Sequence, residues 1–172
     1  TGTTTVVAPA RGEGSPGKLY AVGLGPGAPE HRTLRACQAI AESQVVVGYR
    51  RYLDSIADLT AGKELISSGM TQEVERCRVA LARAAAGQTV ALISSGDAGI
   101  YGMAGLAIEL AEAEKLRVAI EVIPGVTAAS AAAAALGAPL MLDFAVISLS
   151  DLLIPWETVR QRLAAVAEAD LV

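Results

Sequence analysis

Three short segments carry the residue types and spacings that do chemistry. The first, Val22-Gly23-Leu24-Gly25-Pro26-Gly27, follows an apolar run. Its glycines let a backbone turn sharply and come close to a ligand. The second, Ser94-Ser95-Gly96-Asp97-Ala98-Gly99-Ile100-Tyr101-Gly102, sets one carboxylate among small residues. Asp97 there either caps the next helix or meets an amine, a hydroxyl or a cationic centre. The third, Ile123-Pro124-Gly125-Val126-Thr127-Ala128-Ala129-Ser130, offers the hydroxyl and backbone of Thr127 to a ligand, or uses them as a helix cap. Taken alone, the first segment reads equally as a tight turn or a site, and the second and third read more readily as a capped helix start or turn than as a site.

The first segment also satisfies the dinucleotide pattern G-x-G-x-x-A through Gly23, Gly25 and Ala28. Two features count against that reading. Pro26 and Pro29 delay the helix that should receive a pyrophosphate, and the next apolar run ends Val47-Gly48-Tyr49 with no acid for a ribose. Arg50 and Arg51, beside Tyr49 and Tyr52, are suited to planar carboxylates or simply start an exposed helix. His31, the sole histidine, reads as a surface residue near a helix start rather than a base. Arg76, Arg78 and Arg83 read as a solvated helix face.

The elements that must position these segments alternate. Apolar runs at 19–23, 45–47, 64–66, 89–94 and 118–123 predict five strands. Between them lie helical stripes: Leu34, Cys37, Ile40 and Ala41; Val74, Cys77, Leu81 and Ala84, with Thr71 as N-cap and Gly87 as stop; Met103, Leu106 and Leu110; and the Ala-rich stretch 128–136. The expectation is an α/β fold, a mainly parallel sheet with helices on both faces. A sixth strand at 144–149 and a helix striped by Trp156, Val159, Leu163 and Val166 follow, with a further strand opening at residue 170. The domain reading is a lead or linker at 1–17, a cofactor and substrate domain at 18–140, and the beginning of a truncated second α/β domain at 141–172.

Composition narrows the function classes. The chain has 172 residues, 52% of them hydrophobic and only 3% aromatic, so its core is built from Ala, Val, Leu and Ile. The formal net charge of -4 argues against a binder of nucleic acid driven by a general positive field. An anionic substrate must therefore be met by local arginines. Two cysteines at apolar helical positions fit a reducing, cytoplasmic setting rather than a disulfide scaffold. Pro124, Gly125, Gly137 and Pro139 interrupt the most apolar stretch, which reads as buried elements rather than a membrane span.

Three Gly-rich turns at the ends of strands one, four and five converge on one edge of a parallel sheet. In this order, the G-x-G-P-G loop, the S-G-D-x-x-x-Y segment and the P-G-V-T-A turn resemble the three motifs of the tetrapyrrole methylases, over residues 18–172. Within that family, Gly48-Tyr49 with Tyr52, and the stretch at 143–153 with Pro155-Trp156, look most like the enzymes that methylate C-17 of precorrin-3B with contraction of the ring. The resemblance implies S-adenosylmethionine as cofactor, S-adenosylhomocysteine as product and no metal. It places cofactor contacts at Gly25, Pro26, Gly27, Ser95, Gly96, Asp97, Ile100, Thr127 and Ala128. Asp97 is its one candidate catalytic group. A polycarboxylate precorrin would meet Tyr49, Arg50 and Arg51. A homodimer is also implied, with neither nucleic acid nor membrane as partner. The family often has an acid after G-x-G-P-G, where this chain has Ala28. The chemistry asks little of the protein beyond alignment and exclusion of water, because the sulfonium methyl is already activated. Sister enzymes acting at other ring positions, a nicotinamide-dependent oxidoreductase and a non-catalytic domain are the competing readings.

Overall fold

The computed structural model describes residues 17–152 and 154–171; most of the lead expected at 1–17 lies outside them. Five strands form one sheet in the order β3-β2-β4-β1-β5: β1 (Lys18–Gly23), β2 (Val45–Tyr49), β3 (Glu64–Ser68), β4 (Thr89–Ser94) and β5 (Ala119–Ile123). Every pairing is parallel, as the alternation of runs and stripes requires. Six helices accompany them: α1 (Leu34–Glu42), α2 (Arg50–Asp54), α3 (Glu73–Ala85), α4 (Ala104–Ala113), α5 (Ala128–Ala135) and α6 (Trp156–Glu168).

Strand alternation divides the core between two faces. Leu19, Val45, Val47, Val90, Leu92 and Ile120 pack with Cys77, Leu81 and Ala84 of α3 and Ala107 and Ala111 of α4. Tyr20, Val22, Val46, Ala91, Ile93 and Ile123 pack with Ala36, Ala39 and Ile40 of α1 and Leu53 of α2. Small Ala side chains let the helices lie close to the sheet. Each fully buried Val, Leu or Ile contributes about 1.5–3 kcal/mol relative to exposure.

Several stripes are rotated from their expected faces. On α1, Leu34 is exposed and the buried residues are Ala36, Ala39 and Ile40. On α3, Val74 is exposed and Arg76 is buried in its place. In both cases the spacing is helical, but Ala counts poorly as an apolar signal and so shifts the apparent stripe. Thr71 does not cap α3: it sits at φ 62, and Gln72 holds the N-cap position without a side-chain capping bond.

The chain divides into two compact units, Thr1–Thr127 and Ala128–Val172. In the second unit, residues 144–149 form no strand. A strand needs a neighbour for its ladder, and no other described segment of that unit supplies one. Nor does a strand open at residue 170. Asp170 adopts φ 54, and the Leu171 N–H donates to the Val166 carbonyl at 3.2 Å, closing α6 with a left-handed turn.

Candidate functional site

Sheet register sets the site. Gly23 of β1 pairs with Ser94 of β4, and Val22 pairs with Ile123 of β5. The three Gly-rich turns therefore leave the sheet side by side at one level, at its carboxyl edge. The Leu24 N–H donates to the Ser94 carbonyl at 2.9 Å. Gly25 and Gly96 then exchange two backbone bonds, Gly25 N–H to Gly96 O at 3.0 Å and Gly96 N–H to Gly25 O at 2.7 Å.

The approach of these turns requires glycine. A Cβ on Gly23 would stand 2.6 Å from the Gly96 carbonyl oxygen and 2.8 Å from the Gly125 nitrogen. One on Gly125 would stand 2.1 Å from the same Gly96 oxygen. Glycines from three strand ends thus meet at one point, on the sheet edge where the sequence pattern places the three turns.

Asp97 ties this junction together. Its Oδ1 accepts the backbone N–H of Gly99 at 2.7 Å and of Ile100 at 3.1 Å, while Oδ2 accepts that of Gly125 at 3.0 Å. It caps the turn that follows it, not α4, which starts at Ala104 behind Met103. At the third turn, the Thr33 hydroxyl donates to the Pro124 carbonyl at 3.4 Å and its oxygen also accepts from the Ala36 N–H at 3.1 Å, capping α1.

Around the junction, Pro26, Gly27 and Ser95 are exposed, and Ile100 presents an apolar side chain that is 44% exposed. Gly27, at φ 133, faces open space where a Cβ would stand. Gly25 is buried, and Gly96, Asp97 and Thr127 are half-buried. Ala128 opens α5 in the second unit. The delayed helix is real: a short 3-10 turn, Pro29–His31, follows the first loop and α1 begins only at Leu34. No helix N-terminus directly follows the first loop, so it lacks the phosphate-binding end of a dinucleotide fold. His31 is exposed.

A second feature lies on the same carboxyl edge. Tyr49 pairs with Ser68, which brings the ends of β2 and β3 together. A cleft of about 560 Å³ opens there, lined by Tyr49, Arg50, Arg51, Asp54, Ser68 and Gln72 among others. Arg50 and Arg51 are exposed, and neither makes an ion pair among the described residues. The Tyr49 and Tyr52 rings meet edge to face, 5.4 Å between centroids.

Arg76 departs from its expected solvated position. It is 5% exposed, and it donates to Ser68 Oγ at 2.6 Å and to the Gly69 carbonyl at 2.7 Å, both on the cleft wall. Arg78 and Arg83 behave as expected on the outer face, paired with Glu114 and Glu64. The sequence held a signal for Arg76, whose i, i+4, i+8 series with Ala80 and Ala84 is the buried stripe of α3. The wall residues Ser67, Ser68, Gly69 and Gln72 were missed, although Ser-Ser-Gly directly after an apolar run marks a strand end.

Burial opposes ionisation of Glu121, but hydrogen bonds from Lys18 and Arg35 outweigh it and hold that carboxyl below the usual range. Burial pushes the Cys77 thiol up to about 12.

Comparison with known proteins agrees with this geometry. The family model "Tetrapyrrole (Corrin/Porphyrin) Methylases" matches residues 18–172. The chain is 51% identical over 154 residues to a probable cobalt-factor III C(17)-methyltransferase of Salmonella typhimurium, covering 90% of this chain and 64% of that protein. The crystal structure of the methyltransferase CobJ superposes with a TM-score of 0.85 at 41% identity, covering 90% of this chain and 65% of that one. A uroporphyrin-III C-methyltransferase of Thermus thermophilus, solved with S-adenosylhomocysteine, superposes with a TM-score of 0.54 at 34% identity, over 67% of this chain and 51% of that one. The chain thus spans a little under two thirds of the length of the C(17) relative.

Proposed function

The chain belongs to the tetrapyrrole (corrin/porphyrin) methylases, and from that membership we propose that it serves S-adenosylmethionine-dependent methyl transfer to C-17 of a precorrin, with ring contraction, in cobalamin biosynthesis. The macrocycle is precorrin-3B or the cobalt-factor III named for the Salmonella relative.

The observation that carries this reading is the junction of Gly23, Gly96 and Gly125 under the exposed Pro26, Gly27, Ser95 and Ile100. A folded S-adenosyl group asks for bare backbone beside its amino-acid and ribose oxygens and an apolar side chain beside its adenine. The residues present fit that demand. When bound, the cofactor supplies an activated sulfonium methyl. The chain's own part is to hold and orient. The segments at 25–27 and 95–97, with Ile100 and Thr127, line the cofactor, and Ala128 continues the third turn. Asp97 fixes the turns in register rather than moving a proton. Arg50 and Arg51 receive carboxylates of the macrocycle, with Tyr49 at its edge. Residues 18–140 act as the cofactor and substrate domain and 141–172 as the start of a second one.

We place this activity in the cytoplasm, in a homodimer acting on a tetrapyrrole. The net charge of -4 gives no general attraction to nucleic acid, and no helix among the described residues is long and apolar enough to cross a membrane.

A thermal-shift titration tests the cofactor reading. S-adenosylhomocysteine at a hundredfold over its Kd adds about 2.7 kcal/mol to stability and raises Tm. A silent titration at millimolar ligand, or a shift with NADH in its place, overturns the reading. Transfer of a labelled methyl group to precorrin-3B or cobalt-factor III, with the position read by NMR, tests the C-17 assignment.

A further inference from the structure

Arg76 is a buried charged residue, 5% exposed. Its Nε donates to Ser68 Oγ at 2.6 Å, its Nη2 to the Gly69 carbonyl at 2.7 Å, and its Nη1 to Met103 Sδ at 3.3 Å. None of these partners is an anion, and no carboxylate among the described residues forms an ion pair with it. Taking an unpaired charge out of water carries a large desolvation cost. Neutral acceptors recover only part of that. A Met or Leu would fill the same stretch of α3 without the cost, so packing does not account for the guanidinium.

Its position gives it a use. Ser68 and Gly69 line the cleft that also holds Arg50, Arg51 and Asp54. Ser68 stands in register with Tyr49, directly before that arginine pair. Asp54 offsets part of the charge of Arg50 and Arg51. A cation behind the Ser68 and Gly69 wall, in a low-dielectric setting, restores a positive field that solvent screens poorly. The same side chain fixes where the Ser68 hydroxyl and the Gly69 backbone stand.

We propose that Arg76 is a positioning residue of the cleft: it holds the Ser68 and Gly69 wall in place and supplies the buried positive charge that draws a tetrapyrrole carboxylate between that wall and Arg50 and Arg51. The inference rests on the reading of this chain as a methylase of a polycarboxylate macrocycle.

Fluorescence titration with uroporphyrin, a porphyrin polycarboxylate, tests it, with the uncharged methyl ester of uroporphyrin and S-adenosylhomocysteine as parallel ligands. Arg76→Met keeps the apolar stem and removes the charge. It weakens uroporphyrin tenfold or more and flattens the salt dependence of binding, while the ester and the S-adenosylhomocysteine thermal shift stay as in wild type. Arg76→Lys recovers part of the loss. Ser68→Ala leaves the charge but breaks its link to the wall, and weakens uroporphyrin a few-fold; with Arg76→Lys it carries the test where Arg76→Met does not fold. Wild-type uroporphyrin affinity in Arg76→Met, or in both other variants where that one does not fold, overturns the proposal, as does an equal loss of uroporphyrin and S-adenosylhomocysteine. A wild-type chain that binds S-adenosylhomocysteine but no uroporphyrin overturns instead the substrate reading on which the proposal stands.

Discussion

The Oδ2 of Asp97 accepts the backbone N–H of Gly125 at 3.0 Å, a bond between turns 28 residues apart in sequence. Because β1 lies between β4 and β5, that bond passes over the point where Gly23 leaves the sheet. The other oxygen is held by the Gly99 and Ile100 N–H groups. A carboxylate committed on both oxygens to backbone donors is a strut. It sets the spacing of the turns on which a cofactor would rest, and this makes the acidic residue of the second motif structural in its first duty.

Replacing Asp97 therefore acts on stability and cofactor binding together. Asp97→Ala removes the acceptor of three backbone donors, of which the Gly125 N–H is half-buried and those of Gly99 and Ile100 are exposed. Loss of charge-assisted bonds there costs about 2 kcal/mol, or roughly 4–8 °C in Tm. Asp97→Asn keeps an acceptor on one side and costs less. Thermal melts with and without S-adenosylhomocysteine check both parts: Asp97→Ala should melt lower and lose the ligand shift. A variant that melts like wild type and keeps the shift removes the strut from the account.

The glycines of this edge separate into those that carry contacts and those that do not. Gly125→Ala places a Cβ 2.1 Å from the Gly96 oxygen and 2.7 Å from the Gly23 oxygen, so one turn must move. The expected outcome is a loss of about 2 kcal/mol or more and of the cofactor shift. Gly105, in the first turn of α4, has open space and no positive φ. Gly105→Ala should instead stabilise by up to about 0.5 kcal/mol through helix propensity. Chemical denaturation of the two variants beside wild type should give opposite signs.

This difference also marks what was legible in the sequence. The inner strands β1, β2 and β4 followed from short apolar runs, because a parallel strand buried on both faces has few other ways to be written; the edge strands β3 and β5 are only partly buried and carry weaker runs. The contact between Gly23, Gly96 and Gly125 needed register, which no single turn encodes. Arg76 is buried although its charge points to solvent; the cue in the sequence is its i, i+4, i+8 spacing with Ala80 and Ala84. The strand expected at 144–149 failed for the opposite reason. A β-like run has the composition of a strand, but a partner has to lie beside it.

The acid limb of stability should trace to Glu121. Lys18 and Arg35 hold its carboxyl below its ordinary value of 4.5, against the effect of burial. A carboxyl depressed on folding stabilises above its unfolded value, and the contribution is lost as pH falls through the lower folded value. Glu42, bonded by Tyr20 and Arg35, shifts in the same direction. Melting temperature should hold near neutral pH and fall as pH drops below 4.5. Glu121→Gln should melt lower than wild type at pH 7 and show a shallower fall. An unchanged acid limb in Glu121→Gln would assign the loss to other carboxyls.

The two cysteines should differ sharply toward a thiol reagent. Cys77 lies on α3 in the core beneath β2 and β4, fully buried, and burial pushes its thiol up to about 12. Its thiolate is then a trace species at pH 8, and reagent access requires the core to open. Cys37 on α1 is partly exposed. Native protein treated with a chromogenic disulfide should titrate Cys37 promptly and release Cys77 only in denaturant. A reagent that reaches Cys77 at the Cys37 rate in native protein would place α3 outside the stable core, and with it the Arg76 side chain that α3 delivers to the cleft.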